Sequence, residues 1–106
     1  MSANLDTHTT LSDESLLALM KSGELSAFNE IYKRHWQSLF NEINNKLKKP
    51  ELAEQAIEEL FADLWMQRET REVKQLYPYL LISARYKVFE CYKKMRDNYA
   101  PIEGSL

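Results

Sequence analysis

The amino-acid sequence predicts an all-α protein, folded as one compact four-helix bundle without strands. Only two glycines and three prolines interrupt its 106 residues, fewer than a turn-rich β-fold needs. Apolar residues recur at steps of three and four over long stretches, which is the periodicity of one helix face. Hydrophobic residues make up 44% of the chain, including 12 aromatic rings, so a core can form without metal or disulfide support.

Four helices are predicted between residues 12 and 97, which we expect to form one domain. Residues 1–11 are largely polar and predict a flexible N-terminal tail. Ser12 is a suitable N-cap for the first helix, and Gly23 ends it. The second helix is closed by Pro50 and carries one continuous apolar face, formed by Phe28, Ile31, Tyr32, Trp36, Leu39, Phe40, Ile43 and Leu47.

The third helix, roughly residues 51–68, repeats this pattern with an apolar face from Ala53 to Trp65. A charged connection without strong periodicity follows, up to residue 75. Pro78 suits the first turn of the fourth helix, which we expect to run to about Arg96. The main apolar face of this helix comprises Tyr77, Leu80, Leu81, Ala84, Val88, Cys91, Tyr92 and Met95. Residues 98–106 are typical of the start of a linker.

Several classes of function are disfavoured by what the sequence lacks. No apolar run reaches the roughly 18 residues that span a membrane, and the N-terminus has no signal-peptide core. Cys91 is the single cysteine, so we predict a buried thiol in a reducing compartment. No phosphate-binding loop, metal-spaced Cys/His set or nucleophile motif is present. We therefore expect a cytoplasmic, non-enzymatic protein without metal or cofactor, and interpret His35 as a residue at the edge of the core.

Charge is unevenly distributed along the chain. Residues 1–65 contain 6 Lys and Arg against 11 Asp and Glu, a balance of −5. Residues 66–106 contain 8 against 5, a balance of +3. An acidic front and a basic back indicate two partners on two surfaces, although both faces can also simply be solvated.

Two stripes lie on the helix faces opposite the predicted core. On the fourth helix, Ile82, Tyr86 and Phe89 continue to Lys93 and are edged by arginines. Rings beside cations suit the stacked bases and phosphates of single-stranded nucleic acid. The alternative is that the helix lies in the centre of the bundle, which explains Ile82 and Phe89, and we expect these two side chains to be buried. The stripe on the third helix is either a solvated surface or a docking face for a basic partner helix, and consists of Gln55, Glu58, Glu59, Ala62, Asp63 and Met66.

Three segments together resemble extracytoplasmic-function sigma factors of the sigma-70 family. Residues 53–65, AEQAIEELFADLW, resemble the family segment AEDLVQEVFLRLW. Residues 79–88, YLLISARYKV, resemble its AWLYRIARNLALDxLR helix, and residues 16–32 follow its pattern LLxxxxxGDxxAFxxLY. The resemblance covers about residues 12–97, and its specificity lies in three segments that occur in the right order and spacing.

The resemblance implies region 2 of an alternative sigma factor, which docks on the clamp coiled coil of RNA polymerase core and recognises and melts the promoter −10 element. The third-helix stripe then binds polymerase, with Gln55, Glu58 and Glu59 at the family's Asp, Gln and Glu contact positions. Tyr86 stands where the family has Asn. The implied DNA-binding residues are Arg71, Lys74, Arg85, Tyr86, Lys93, Lys94 and Arg96.

The family also implies an anti-sigma factor as a partner, and we expect a monomer. Its C-terminal helix-turn-helix domain is absent from this sequence, so we expect residues 98–106 to begin the interdomain linker. Two other functions are compatible with the residues alone: a helical protein-interaction module without DNA contact, and a regulatory binder of double-stranded DNA. DNA binding through several phosphates weakens steeply with salt, so the salt dependence of binding distinguishes a sigma domain from a protein-interaction module.

Overall fold

The computed structural model describes residues 8–104, and the side chains of residues 8–97. Four helices follow one another: α1 (Asp13–Lys21), α2 (Leu25–Leu47), α3 (Pro50–Met66) and α4 (Leu76–Gly104). Residues 8–10 form a further helical turn ahead of α1, and no strand occurs in residues 8–104. The predicted all-α, four-helix fold is confirmed.

Local signals determine both ends of α1. The Ser12 Oγ accepts a hydrogen bond from the backbone N–H of Ser15 at 3.1 Å, which satisfies one of the free donors of the first turn. After the last turn, Gly23 has a φ of +98° and donates its N–H to the Met20 carbonyl at 2.9 Å. Glycine adopts this left-handed conformation without steric cost, so α1 ends where the sequence predicts.

The corner between α2 and α3 consists of two lysines. Lys48 adopts a left-handed conformation, with a φ of 57°, and donates its N–H to the Asn44 carbonyl at 2.8 Å. Pro50 then begins α3, in the first turn, where its missing N–H breaks no helical hydrogen bond. Because the connection is so short, α2 and α3 lie side by side as antiparallel neighbours.

The core is centred on α2, which packs against α1, α3 and α4. Every fully buried side chain among residues 8–97 is hydrophobic. Phe61 of α3 is 2% exposed, and its ring lies 4.7 Å from that of Tyr32 and 6.3 Å from that of Phe28, measured between centroids. Edge-on and tilted aromatic pairs of this kind add to the free energy of burial.

The segment ahead of α1 is held by Arg34 of α2. Its guanidinium donates to the backbone carbonyls of His8 and Thr9, at 3.0 and 3.2 Å, and to Asp13 Oδ1 at 3.1 Å. Asp13 Oδ2 lies 2.9 Å from Nε2 of His35, which is half-buried at the edge of the core. Residues 8–11 therefore differ from the flexible tail predicted for 1–11, and residues 1–7 lie outside the described part of the chain.

Helix α4 is longer than the sequence predicts. It begins at Leu76, which places Pro78 in its first turn as expected, but it continues past Arg96 to Gly104. Most of the segment predicted as a linker, residues 98–106, is thus helical, while residues 105–106 lie outside the described range. Among the residues that the structure describes, no helix combines the length and apolarity needed to cross a membrane.

Five aromatic or aliphatic side chains predicted to be buried are in fact exposed. Tyr32 and Trp36 of α2 are each 37% exposed, and Ile82, Phe89 and Tyr92 of α4 are 67%, 59% and 47% exposed. A helix buries only the sector that its neighbours cover. Ala84 and Val88 occupy that sector of α4, so a second apolar stripe on the same helix faces solvent.

Candidate functional site

The acidic stripe predicted on α3 lies on the molecular surface. All six of its residues are exposed, and Met66, at 78%, is more open than any other large apolar residue among residues 8–97. An exposed methionine beside carboxylates is a flexible apolar contact with a negatively charged border, which suits a partner helix that carries cations. The exposed positions are Gln55, Glu58, Glu59, Ala62, Asp63 and Met66.

One lysine of α4 forms ion pairs with two residues of this acidic stripe. The Lys87 Nζ lies 3.3 Å from Glu59 Oε1, 3.4 Å from Asp63 Oδ2 and 3.6 Å from Glu90 Oε1. Its side chain is 17% exposed, whereas the three carboxylates are 45–60% exposed. Glu59 and Asp63 therefore share one cation within the molecule, while Glu58 forms no ion pair with any other described side chain.

The Lys87 ammonium titrates above the ordinary range of lysine. Partial burial acts to lower its pKa, but the hydrogen bond that it donates to Glu59 and the charges of Asp63 and Glu90 together outweigh that effect, so the pKa is raised. Lys87 therefore carries its full charge at neutral pH and cross-links α3 to α4.

Two cavities lie between α3 and α4, and Lys87 borders both of them. The first, of about 270 Å³, is bordered by Gln55 and Leu52 of α3 and by Cys91 and Lys94 of α4. Cys91 is half-buried here, which is more open than predicted, and burial raises the pKa of its thiol. A thiol with a raised pKa is a poor nucleophile, consistent with a packing role.

The second cavity, of about 390 Å³, brings together two of the predicted DNA-binding residues. Arg71 and Tyr86 both border it, beside Asp63 and Ile82. Arg71 donates to the Tyr79 hydroxyl at 2.9 Å and also to the side-chain oxygen of Gln67. These bonds hold the guanidinium at the mouth of the cavity, next to the exposed Tyr86 ring.

The aromatic stripe of α4 faces solvent over about three helical turns. Ile82, Tyr86, Phe89 and Tyr92 are 67%, 62%, 59% and 47% exposed, and the rings of Tyr86 and Phe89 lie 6.3 Å apart. Contiguous exposed apolar groups are uncommon on a protein that has no partner for them. Planar rings with free faces are the groups on which unpaired bases stack.

The predicted DNA-binding cations do not all lie together. Arg85 is 3.3 Å from Glu42 of α2, so its charge is partly satisfied, and Lys94 borders the first cavity beside the α3 stripe. Lys74 is exposed on the connection before α4. Neither Lys93 nor Arg96 pairs with a described carboxylate, and both are exposed at the far end of the aromatic stripe.

Two features of these surfaces were not apparent from the sequence. The basic segment does not single out Lys87, although its place three residues after the buried Ala84 indicates a half-buried position. Tyr32 and Trp36 were assigned to the core because they continue the apolar periodicity of α2. Helical periodicity identifies a sector, but it does not say how much of that sector the neighbouring helices cover.

Within the part of the chain that the structure describes, no group of three or more His, Cys, Asp or Glu side chains is arranged to hold a metal ion. Comparison of the chain with protein-family models, with curated proteins and with solved structures gave no match.

Proposed function

We propose that this chain is a sigma region 2 domain of the extracytoplasmic-function type. Its α3 docks on the clamp coiled coil of RNA polymerase core, and its α4 recognises and melts the promoter −10 element. The observation that carries the proposal is the α4 surface, where Ile82, Tyr86 and Phe89 are exposed ahead of Lys93 and Arg96, which pair with no described carboxylate. The protein acts in the cytoplasm by binding, without catalysis or cofactor.

Stacking and charge neutralisation are the two contributions that single-stranded DNA needs. Tyr86 and Phe89 offer ring faces to bases, and each base stacked on an aromatic side chain is worth about 1–3 kcal/mol. Lys93 and Arg96 are free to neutralise phosphates, which releases counterions and makes the affinity depend on salt. The connection before α4 holds Arg71 and Lys74, and its Arg71 borders the same cavity as Tyr86, which suits the capture of a flipped base.

The α3 surface supports a separate protein partner. It combines Met66 and Ala62 with a carboxylate border, the composition expected where an amphipathic basic helix packs. An anti-sigma factor that covers the same surface is the expected antagonist.

Binding to RNA polymerase core tests the first half of the proposal. Ala62→Arg places a bulky cation in the centre of the α3 surface, and we expect it to abolish binding in a pull-down and to weaken it at least tenfold in a titration. Ala18→Arg is the matched control, because Ala18 is also an exposed helical alanine, on α1. If the wild-type chain does not bind polymerase core, the sigma assignment is wrong.

Binding of single-stranded −10-like DNA to the complex with polymerase core tests the second half. Lys93→Gln with Arg96→Gln should weaken binding and make its dependence on log salt shallower by about one to two. Lys21→Gln with Lys33→Gln removes two exposed charges from α1 and α2 and should leave the slope unchanged. Equal slopes for both double variants would show that the far end of α4 does not contact DNA.

A helical protein-interaction module without DNA contact is the second candidate. It is favoured by the spacing of Ile82, Tyr86 and Phe89, which matches the i, i+4, i+7 anchors of a helix that lies in a partner's groove. Two nearby arginines, Arg85 and Arg71, also have partners inside the molecule. The measured salt dependence decides between the candidates, since apolar docking on this stripe lacks the steep loss of affinity that DNA binding shows.

A further inference from the structure

A third surface groove, between α2 and α3, combines exposed aromatic rings with carboxylates and includes Glu58 of the α3 stripe. It has a volume of about 390 Å³. Its floor is the buried Ile57, and the exposed rings of Tyr32 and Trp36 form one wall together with Phe40. Glu54 and Glu58 form the opposite rim.

The carboxylates of this groove differ from those beside α4. Glu54 and Glu58 are exposed and pair with no described cation, and Glu51 lies one turn earlier on the same side of α3. Glu59 and Asp63 are held by Lys87. Glu54 and Glu58 thus have no cation of their own among the described residues, so their charges are available to a cation from a partner.

The two tryptophans of the chain differ in whether a cation lies over the ring. Over the ring of Trp65, the guanidinium carbon of Arg68 lies 4.0 Å from the ring centroid. No described cation covers the ring of Trp36, whose nearest aromatic neighbour is Phe40 at 6.2 Å. An indole face beside two free carboxylates matches a guanidinium, which stacks on the ring while its N–H groups donate to the carboxylates.

We propose that the groove is an arginine-binding subsite, occupied by an arginine of the polymerase clamp helix that docks on α3. The guanidinium stacks on Trp36 and donates to Glu54 and Glu58, and its aliphatic stem lies over Ile57. This inference rests on the proposed docking of polymerase and identifies which edge of α3 receives the partner's cation. Charge complementarity favours arginine over an apolar occupant, because an apolar side chain would leave both carboxylates unpaired.

The test is a titration of RNA polymerase core with variants of the full chain. Trp36→Leu keeps an apolar side chain but removes the ring, and we expect a loss of affinity of about 2- to 30-fold. Trp36→Phe retains a ring face and should recover part of that loss. Glu54→Gln with Glu58→Gln should weaken binding and make its salt dependence shallower, with no change in the thermal midpoint of the free chain.

Glu59→Gln with Asp63→Asn is the matched control, since it also removes two carboxylates from α3 but takes them from the Lys87 cross-link. It should weaken binding less than the Glu54 and Glu58 double variant. The subsite is refuted if Trp36→Leu binds core as tightly as wild type, or if the Glu59 and Asp63 variant is the weaker binder of the two. A wild-type chain that fails to bind core overturns the proposed function as well, so the two failures are distinguishable.

Discussion

Replacing Phe61 and Phe89 by alanine, one at a time, removes the same atoms from two different environments. Phe61 is 2% exposed and touches the rings of Tyr32 and Phe28, so its loss removes burial and leaves a cavity. Core replacements of phenylalanine by alanine cost about 3–5 kcal/mol. Phe89 is 59% exposed, so about two-fifths of its burial energy of roughly 1.5–3 kcal/mol is at stake, partly offset by the better helix propensity of alanine. The expected cost is below about 1 kcal/mol.

Urea unfolding followed by far-UV circular dichroism measures both free energies of unfolding, and a temperature scan with the same signal gives the thermal midpoints. Phe61→Ala should lower the thermal midpoint by more than about 12 °C, while Phe89→Ala should lower it by less than about 8 °C. The order should reverse in the DNA titration, where Phe89→Ala weakens binding and a folded Phe61 variant does not. Equal losses of stability, or a larger loss for Phe89→Ala, would refute the orientation of α4 on which the DNA proposal depends.

Three further outcomes are expected. Lys87→Met should lower the free energy of unfolding by about 1 kcal/mol at low salt and by less at high salt. Because the pKa of Lys87 is raised in the folded protein, its contribution to stability is complete at neutral pH and is lost as pH rises through that pKa. In urea unfolding above pH 10.5, the stability of the wild type should therefore approach that of the variant. Cys91 should alkylate more slowly at neutral pH than the same thiol in the urea-unfolded chain, and its rate should rise at a higher pH, since burial raises its pKa. Arg34→Met should cost about 1–3 kcal/mol and speed hydrogen exchange around Asp13, whereas Lys33→Met on the neighbouring exposed position should do neither.

The fold was predictable because its signals are local. The Ser12 cap and the left-handed Gly23 each act within a few residues and place the ends of α1 correctly. Pro50, predicted to close the second helix, is itself the first residue of α3, one residue before the predicted start. The predicted end of α4 was wrong: the composition after Arg96 indicated a linker, but the helix continues to Gly104. Composition alone is a weak stop signal for a helix.

The candidate surfaces were predictable in part. The exposure of the α3 stripe follows from its place opposite Ala53, Ala56 and Leu60, which are buried. The prediction was wrong at Ile82 and Phe89, because apolar character on a helix face does not by itself indicate burial. A second apolar stripe on a helix is buried only if a further element covers it, and no such element is encoded within the helix itself.

What the sequence determined by itself is the number and order of the helices, the main apolar face of each and the separation of acidic from basic segments. These properties depend on periodicity, capping and composition, all of which act between neighbours along the chain. The packing of the helices is what pairs Lys87 with Glu59 and Asp63, and what leaves Trp36 exposed beside Glu54 and Glu58, which pair with no described cation. Ion pairing and exposure are set by which helices pack together and at what rotation, so residues far apart in the sequence must first be brought into contact.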